Sequence, residues 1–144
     1  MKYVSAVMLA AAVATSNAAF AMDGDAEAGK KVFKKCQACH LVEEAKNKVG
    51  PHLIDLFGRQ PGSLEDYKYS KNMVNYGEGK VWDDALLVEF LAAPKKTVKG
   101  TKMAFAGLRK EKDLANVIAY LKQFSSAADE PAEGETASDQ PEAD

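Results

Sequence analysis

The sequence predicts an all-α fold of three main helices joined by long loops. Apolar residues recur at helical spacing in three segments of the chain. No run of alternating β-branched residues occurs between residues 41 and 82, so strands are not expected there. The chain has 144 residues, which is the length of one small domain with a single core.

The first helix is expected at residues 25–35. Asp25 is a favourable N-cap, and Glu27 complements the positive end of the helix dipole. Gly29 lies inside this helix, where glycine costs about 1 kcal/mol relative to alanine. The glycine therefore indicates either a tolerated substitution or the close approach of another helix.

The second helix is expected at residues 83–92, with Asp83 as its cap and Pro94 as its stop. The third, at 111–124, is the clearest, because apolar residues follow the spacing i, i+3, i+4, i+7. Those residues are Leu114, Val117, Ile118 and Leu121. A shorter helix is compatible with residues 70–74. The rest of residues 41–82 is predicted to be loop, and loops of that length need additional contacts to hold their conformation. A large apolar cofactor would do so.

Both ends of the chain differ from its body. Residues 1–21 have a basic start, an apolar run and a small-x-small ending, which predicts a cleaved secretory signal and a periplasmic location. An uncleaved anchor is the alternative, although the apolar run is short for a membrane span.

Residues 22–124 form the expected domain. Residues 125–144 carry seven acids and no base, and we expect a disordered acidic tail.

The charge of the chain limits its partners. The formal net charge is -2, which excludes a strongly basic nucleic-acid binder. Residues 22–124 nevertheless carry 18 basic and 14 acidic residues, so the body is mildly basic. No further segment reaches membrane-spanning length, and a monomer without a membrane span is expected.

Cys36, Cys39 and His40 form a C-x-x-C-H motif. This spacing is typical of covalent haem attachment, in which each thiol adds to a vinyl group and the histidine can ligate the iron. A thioredoxin-like redox pair would need a preceding strand, and a zinc site would need further paired ligands. A disulfide between the two cysteines would close too short a loop to stabilise the chain much.

The iron would need a second axial ligand or an open position. The candidates in the mature chain are Met22, His52, Met73 and Met103. Met103 is the strongest candidate, because it lies in a glycine-flanked loop between two predicted helices. Core packing remains the alternative for any methionine.

The chain resembles the class I c-type cytochromes, most closely the bacterial cytochrome c2 and cytochrome c-550 group. The resemblance covers residues 24–124. It rests on an ordered set of motifs: Gly29 with Phe33, Cys36-x-x-Cys39-His40, Gly50-Pro51-His52-Leu53, Phe57-Gly58-Arg59, Tyr69, Trp82, Pro94-Lys95-Lys96, Gly100-Thr101-Lys102-Met103-x-Phe105 and Tyr120-Leu121.

The resemblance implies a small cytochrome c fold wrapped around one haem c, bound covalently by Cys36 and Cys39. It implies that His40 and Met103 ligate the iron and that the Pro51 carbonyl accepts a hydrogen bond from His40. Residues expected around the haem propionates are Arg59, Tyr69, Trp82 and Thr101. Two positions depart from the mitochondrial pattern: Phe90 stands where those members have tyrosine, and Lys99 where they have proline.

A histidine and a methionine together leave the iron no open position, which favours electron transfer over catalysis. The family implies a soluble carrier from a quinol-oxidising (bc1-type) complex to a photosynthetic reaction centre or a terminal cytochrome oxidase. Lysines near the motif and the methionine loop are expected to steer it onto acidic-faced partners. They are Lys34, Lys35, Lys95, Lys96, Lys99 and Lys102. A haem enzyme such as a peroxidase, or a haem-based sensor, is the alternative class.

Overall fold

The protein folds as five helices joined by long loops in this computed structural model, which describes residues 23–126. In chain order the helices are α1 (Ala26–Phe33), α2 (Lys71–Gly77), α3 (Asp84–Ala92), α4 (Pro94–Thr97) and α5 (Glu111–Lys122). No strand occurs within residues 23–126, and the predicted all-α class is confirmed. The predicted signal peptide, Met22 and the tail beyond Ser126 lie outside the described residues.

Helices α1 and α5 pack against each other at Gly29. The Asp25 carboxylate caps α1 by accepting hydrogen bonds from the backbone N–H groups of Glu27 and Ala28. Gly29 is buried, and a Cβ there would overlap the carbonyl oxygen of Asn116 in α5. The glycine is therefore explained by close helix approach, which was one of the two sequence-based interpretations.

Aromatic packing extends the same interface towards the chain's end. The Phe33 and Tyr120 rings lie 5.3 Å apart, and the Tyr120 and Phe124 rings lie 5.1 Å apart. Helix α5 ends at Lys122, two residues before the predicted boundary.

Helices α2 and α4 depart furthest from the sequence-based expectation, while α1 and α5 each end two residues before the predicted boundary. Helix α2 is capped by the Ser70 hydroxyl and runs to Gly77, beyond the expected 70–74. Helix α4 was missed. Pro94 stops α3 as predicted, but it also occupies the first turn of α4, where its missing N–H costs nothing.

Hydrogen bonds between distant segments fix the long loops. Trp82 exchanges backbone hydrogen bonds of 2.9 Å with the 58–59 turn. Asp55 donates its backbone N–H to the Phe124 carbonyl and accepts from the Ser126 N–H at 2.9 Å. Ser125 is buried, so the described fold continues through Ser126. No helix within residues 23–126 has the length and apolarity needed to cross a membrane.

Candidate functional site

The C-x-x-C-H segment continues from the end of α1 as a series of tight turns. The backbone N–H of Cys36 donates to the Phe33 carbonyl at 2.7 Å, and the N–H of His40 donates to the Cys36 carbonyl at 2.9 Å. These turns bring Cys36, Cys39 and His40 to the wall of one central cavity. Neither cysteine forms a disulfide within residues 23–126, so both sulfurs are available for thioether bonds.

The imidazole of His40 is held in one orientation. Its Nδ1 lies 2.7 Å from the carbonyl oxygen of Pro51, the contact that the resemblance implies. A carbonyl can only accept, so Nδ1 carries the proton and the lone pair of Nε2 is left free for a metal. Burial lowers the pKa of His40, which favours the neutral ring that metals bind.

The alternatives for the two cysteines find little support. Burial raises the pKa of the Cys36 thiol to about 11, the opposite of the depressed pKa that activates redox cysteines. No group of three or more His, Cys, Asp or Glu side chains suited to a metal ion occurs within residues 23–126. A thioredoxin-like pair and a zinc site are both disfavoured.

Two methionines line the cavity. Met103 is half-buried in the loop between α4 and α5, where its backbone N–H donates to the Thr101 hydroxyl at 3.2 Å. Met73 lies on α2 and is 8% exposed. His52 is not among the cavity-lining residues, so this candidate ligand is disfavoured.

The cavity also has a polar part. Arg59 is half-buried, and its guanidinium donates to the carbonyls of Ile54 and His52, both at 3.0 Å. Burial raises the pKa of the Tyr69 hydroxyl, and the nearby Arg59 charge opposes that rise. The expected propionate residues all line the cavity: Arg59, Tyr69, Trp82 and Thr101.

The residues present fit a covalently bound haem. Two cysteine sulfurs, an imidazole with an available Nε2 and a thioether share one cavity whose wall is mainly apolar. Its apolar residues include Phe33, Leu53, Leu56, Leu87, Phe90, Leu108, Val117 and Leu121. Sequence reasoning missed Tyr67 and Val49 as wall residues, whereas Met73 was already among the candidate ligands.

Known proteins resemble this chain in sequence. The family model described as Cytochrome c matches residues 26–125. Cytochrome c2 of Afifella marina is 54% identical over 101 residues, which are 69% of this chain and 82% of that protein. Cytochrome c-550 of Nitrobacter winogradskyi is 50% identical over 102 residues, 70% of this chain and 92% of that protein.

A solved structure agrees with these relatives. Cytochrome cH from Methylobacterium extorquens is 44% identical, with a TM-score of 0.64 over 69% of this chain and 99% of that one. The family match covers more than half of the chain and includes both cysteines of the C-x-x-C-H motif. The chain therefore belongs to the cytochrome c family, as an electron-transfer protein with covalently attached haem c.

Proposed function

We propose that the chain is a soluble periplasmic carrier of single electrons, exported by the signal in residues 1–21. Its donor would be a quinol-oxidising (bc1-type) complex, and its acceptor a photosynthetic reaction centre or a terminal oxidase. The observation that carries the proposal is the placement of His40 and Met103 in one apolar cavity with both motif cysteines. Membership of the cytochrome c family supports it.

In this proposal each wall residue has a separate task. Cys36 and Cys39 hold the haem through thioether bonds, and His40 and Met103 ligate its iron. The bound haem supplies one-electron exchange between ferrous and ferric iron. The Pro51 carbonyl holds the His40 ring by the 2.7 Å contact and raises the basicity of Nε2. Ligation of the iron by both side chains would leave no site there for a substrate.

The apolar wall and the polar edge would have separate roles at the redox site. Phe33, Leu87 and Phe90 exclude water, which together with the thioether of Met103 favours the ferrous state. Arg59 places a positive charge at the wall, where it would balance a carboxylate. Tyr69, Trp82 and Thr101 offer hydrogen-bond donors there.

Exposed lysines supply the proposed docking surface. Lys35 and Lys102 belong to the cavity wall and are also exposed to solvent. Lys34, Lys95, Lys96 and Lys99 are exposed as well. Lysines at the cavity mouth would attract the acidic faces of partner proteins and accelerate encounter. Such contacts form small interfaces that separate quickly, as a shuttling carrier requires.

The proposal is tested with the haem-loaded protein and a purified bc1-type complex. We expect reversible one-electron titration, rapid reduction by the complex in the presence of quinol, and no carbon monoxide binding by the ferrous protein. The reduction rate should fall as salt rises, since exposed charges are screened. Ready carbon monoxide binding would indicate an open iron site and would favour a peroxidase or a gas sensor.

A further inference from the structure

The loop that carries Met103 is sparsely held by its own backbone. Near its start, the Thr101 N–H donates to the Val98 carbonyl at 3.1 Å. At its end, the Leu108 N–H donates to the Leu91 carbonyl at 2.8 Å. No helical residue occurs from 98 to 110, so the position of Met103 depends on contacts with other segments.

One such contact comes from Asn72, in the first turn of α2. Its side-chain amide Nδ2 donates to the backbone carbonyl of Lys99. The next residue, Gly100, has a φ of +78° and lies so near that a Cβ would be 3.0 Å from the same Nδ2. The Asn72 amide therefore contacts the loop at the turn that precedes Met103.

The segment that carries Asn72 is well anchored. Its neighbour Met73 is buried in the cavity wall, and the Ser70 hydroxyl caps the helix through the Met73 N–H at 3.2 Å. Lys102 gives a second link between the same two parts of the chain, because its Nζ donates to the Lys68 carbonyl at 2.7 Å. Asn72 itself is exposed, so changing it removes no core packing.

We propose that Asn72 is a positioning residue that keeps the Met103 loop closed over the cavity. This inference rests on the proposed ligation of the iron by Met103. The amide acts through the Lys99 carbonyl and has no role in binding haem itself. Losing a neutral hydrogen bond of this kind should shift the equilibrium between the closed and the open Met103 loop about fivefold towards the open form.

Loop opening can be measured with a small external ligand. Imidazole binds ferric iron only when the sixth position is free, so its apparent affinity reports the population with Met103 displaced. We expect Asn72→Ala to increase that affinity by about fivefold. Asn72→Asp should increase it further, because a carboxylate cannot donate to the Lys99 carbonyl and is repelled by it.

Asn75→Ala is the matched control. Asn75 is also exposed on α2, and its side chain makes no hydrogen bond within the described residues. The control should bind imidazole as the unchanged protein does, and thermal unfolding should be recorded for all variants. The charge-transfer band from methionine sulfur to ferric iron, followed in the same titration, identifies the displaced ligand.

The possible outcomes distinguish failure of the Asn72 inference from failure of the proposed Met103 ligation. If the unchanged protein shows the sulfur band but Asn72→Ala binds imidazole no more tightly, the positioning role is wrong and Met103 ligation stands. If Asn72→Ala and Asn75→Ala raise the affinity equally, α2 has merely loosened and the role is again wrong. If the unchanged protein lacks the band, Met103 ligation fails and the inference fails with it.

Discussion

Gly50 packs directly against the imidazole ring of His40. A Cβ at Gly50 would lie 2.8 Å from Nδ1 and 2.9 Å from Nε2 of that ring, far inside van der Waals contact. The following residue, Pro51, accepts the hydrogen bond from Nδ1. One short segment therefore fixes both the face and the hydrogen-bonding edge of the imidazole.

Gly50→Ala should displace the His40 ring. Because the methyl group has no space, we expect the free energy of unfolding to fall by about 1–3 kcal/mol. Denaturant unfolding of the haem-loaded protein measures this. Val81→Ala is the control, since Val81 is 51% exposed and lies outside the cavity wall, so that its truncation should change stability by about 0.5 kcal/mol or less. Equal stability of Gly50→Ala and the unchanged protein would show that the ring is not confined here.

Gly29→Ala tests the interface between α1 and α5. Helix propensity alone predicts a gain of about 1 kcal/mol from alanine. Overlap with the Asn116 carbonyl instead predicts a net loss of about 1–3 kcal/mol, because backbone cannot move aside as a side chain can. The denaturation midpoint shows whether Gly29→Ala stabilises or destabilises the protein. Lys30→Ala, at the exposed next position, should be nearly neutral, and stabilisation by Gly29→Ala would contradict the close approach.

Asp55 should link stability to pH. Hydrogen bonds from the Ser126 N–H and hydroxyl hold the pKa of the Asp55 carboxyl below its ordinary 3.8. The lowered pKa stabilises the fold above pH 3.8, and this contribution is lost as the pH falls through the folded-state pKa.

Asp55→Asn removes the charge and retains a residue type that tolerates the observed φ of +50°. The variant should be less stable than the unchanged protein at neutral pH, and the difference should shrink below pH 3.8. Unfolding curves at several pH values measure it. A difference that is constant across the acid range would contradict the linkage.

Lys96→Glu tests the proposed docking surface. Reversing this exposed charge on α4 should slow reduction by the bc1-type complex several-fold at low salt, and the effect should fade as salt is added. Lys80→Glu is the matched control, because Lys80 stacks on the Tyr76 ring at a separate surface depression. Equal slowing by both variants would indicate a general charge effect without a docking face.

Much of this fold can be predicted from local chemistry. The caps Asp25 and Asp83 and the stop at Pro94 each depend on a few neighbouring residues, and the structure places them as expected. Helix α4 was missed because proline both ends one helix and starts the next, and only tertiary context shows which. The burial of Met73 likewise depends on the cavity, which no local pattern encodes.

In the site, too, some residues can be identified from local sequence and others only from tertiary context. The C-x-x-C-H motif identifies three wall residues by spacing alone. The convergence of Arg59, Tyr69, Trp82 and Thr101 on one cavity was expected only through the family resemblance, because these residues are far apart in sequence. The contact between Asn72 and the Lys99 carbonyl left no sequence signal, since it joins a side chain to a backbone atom 27 residues away.

Ligation of the iron by Met103 is tested most directly by the ferric optical spectrum of two matched variants, Met103→Leu and Met73→Leu. Both methionines line the cavity, and leucine nearly conserves their volume. The sulfur-to-iron charge-transfer band should disappear in Met103→Leu and persist in Met73→Leu. A band that survives Met103→Leu, or that is lost only in Met73→Leu, would contradict Met103 as the ligand.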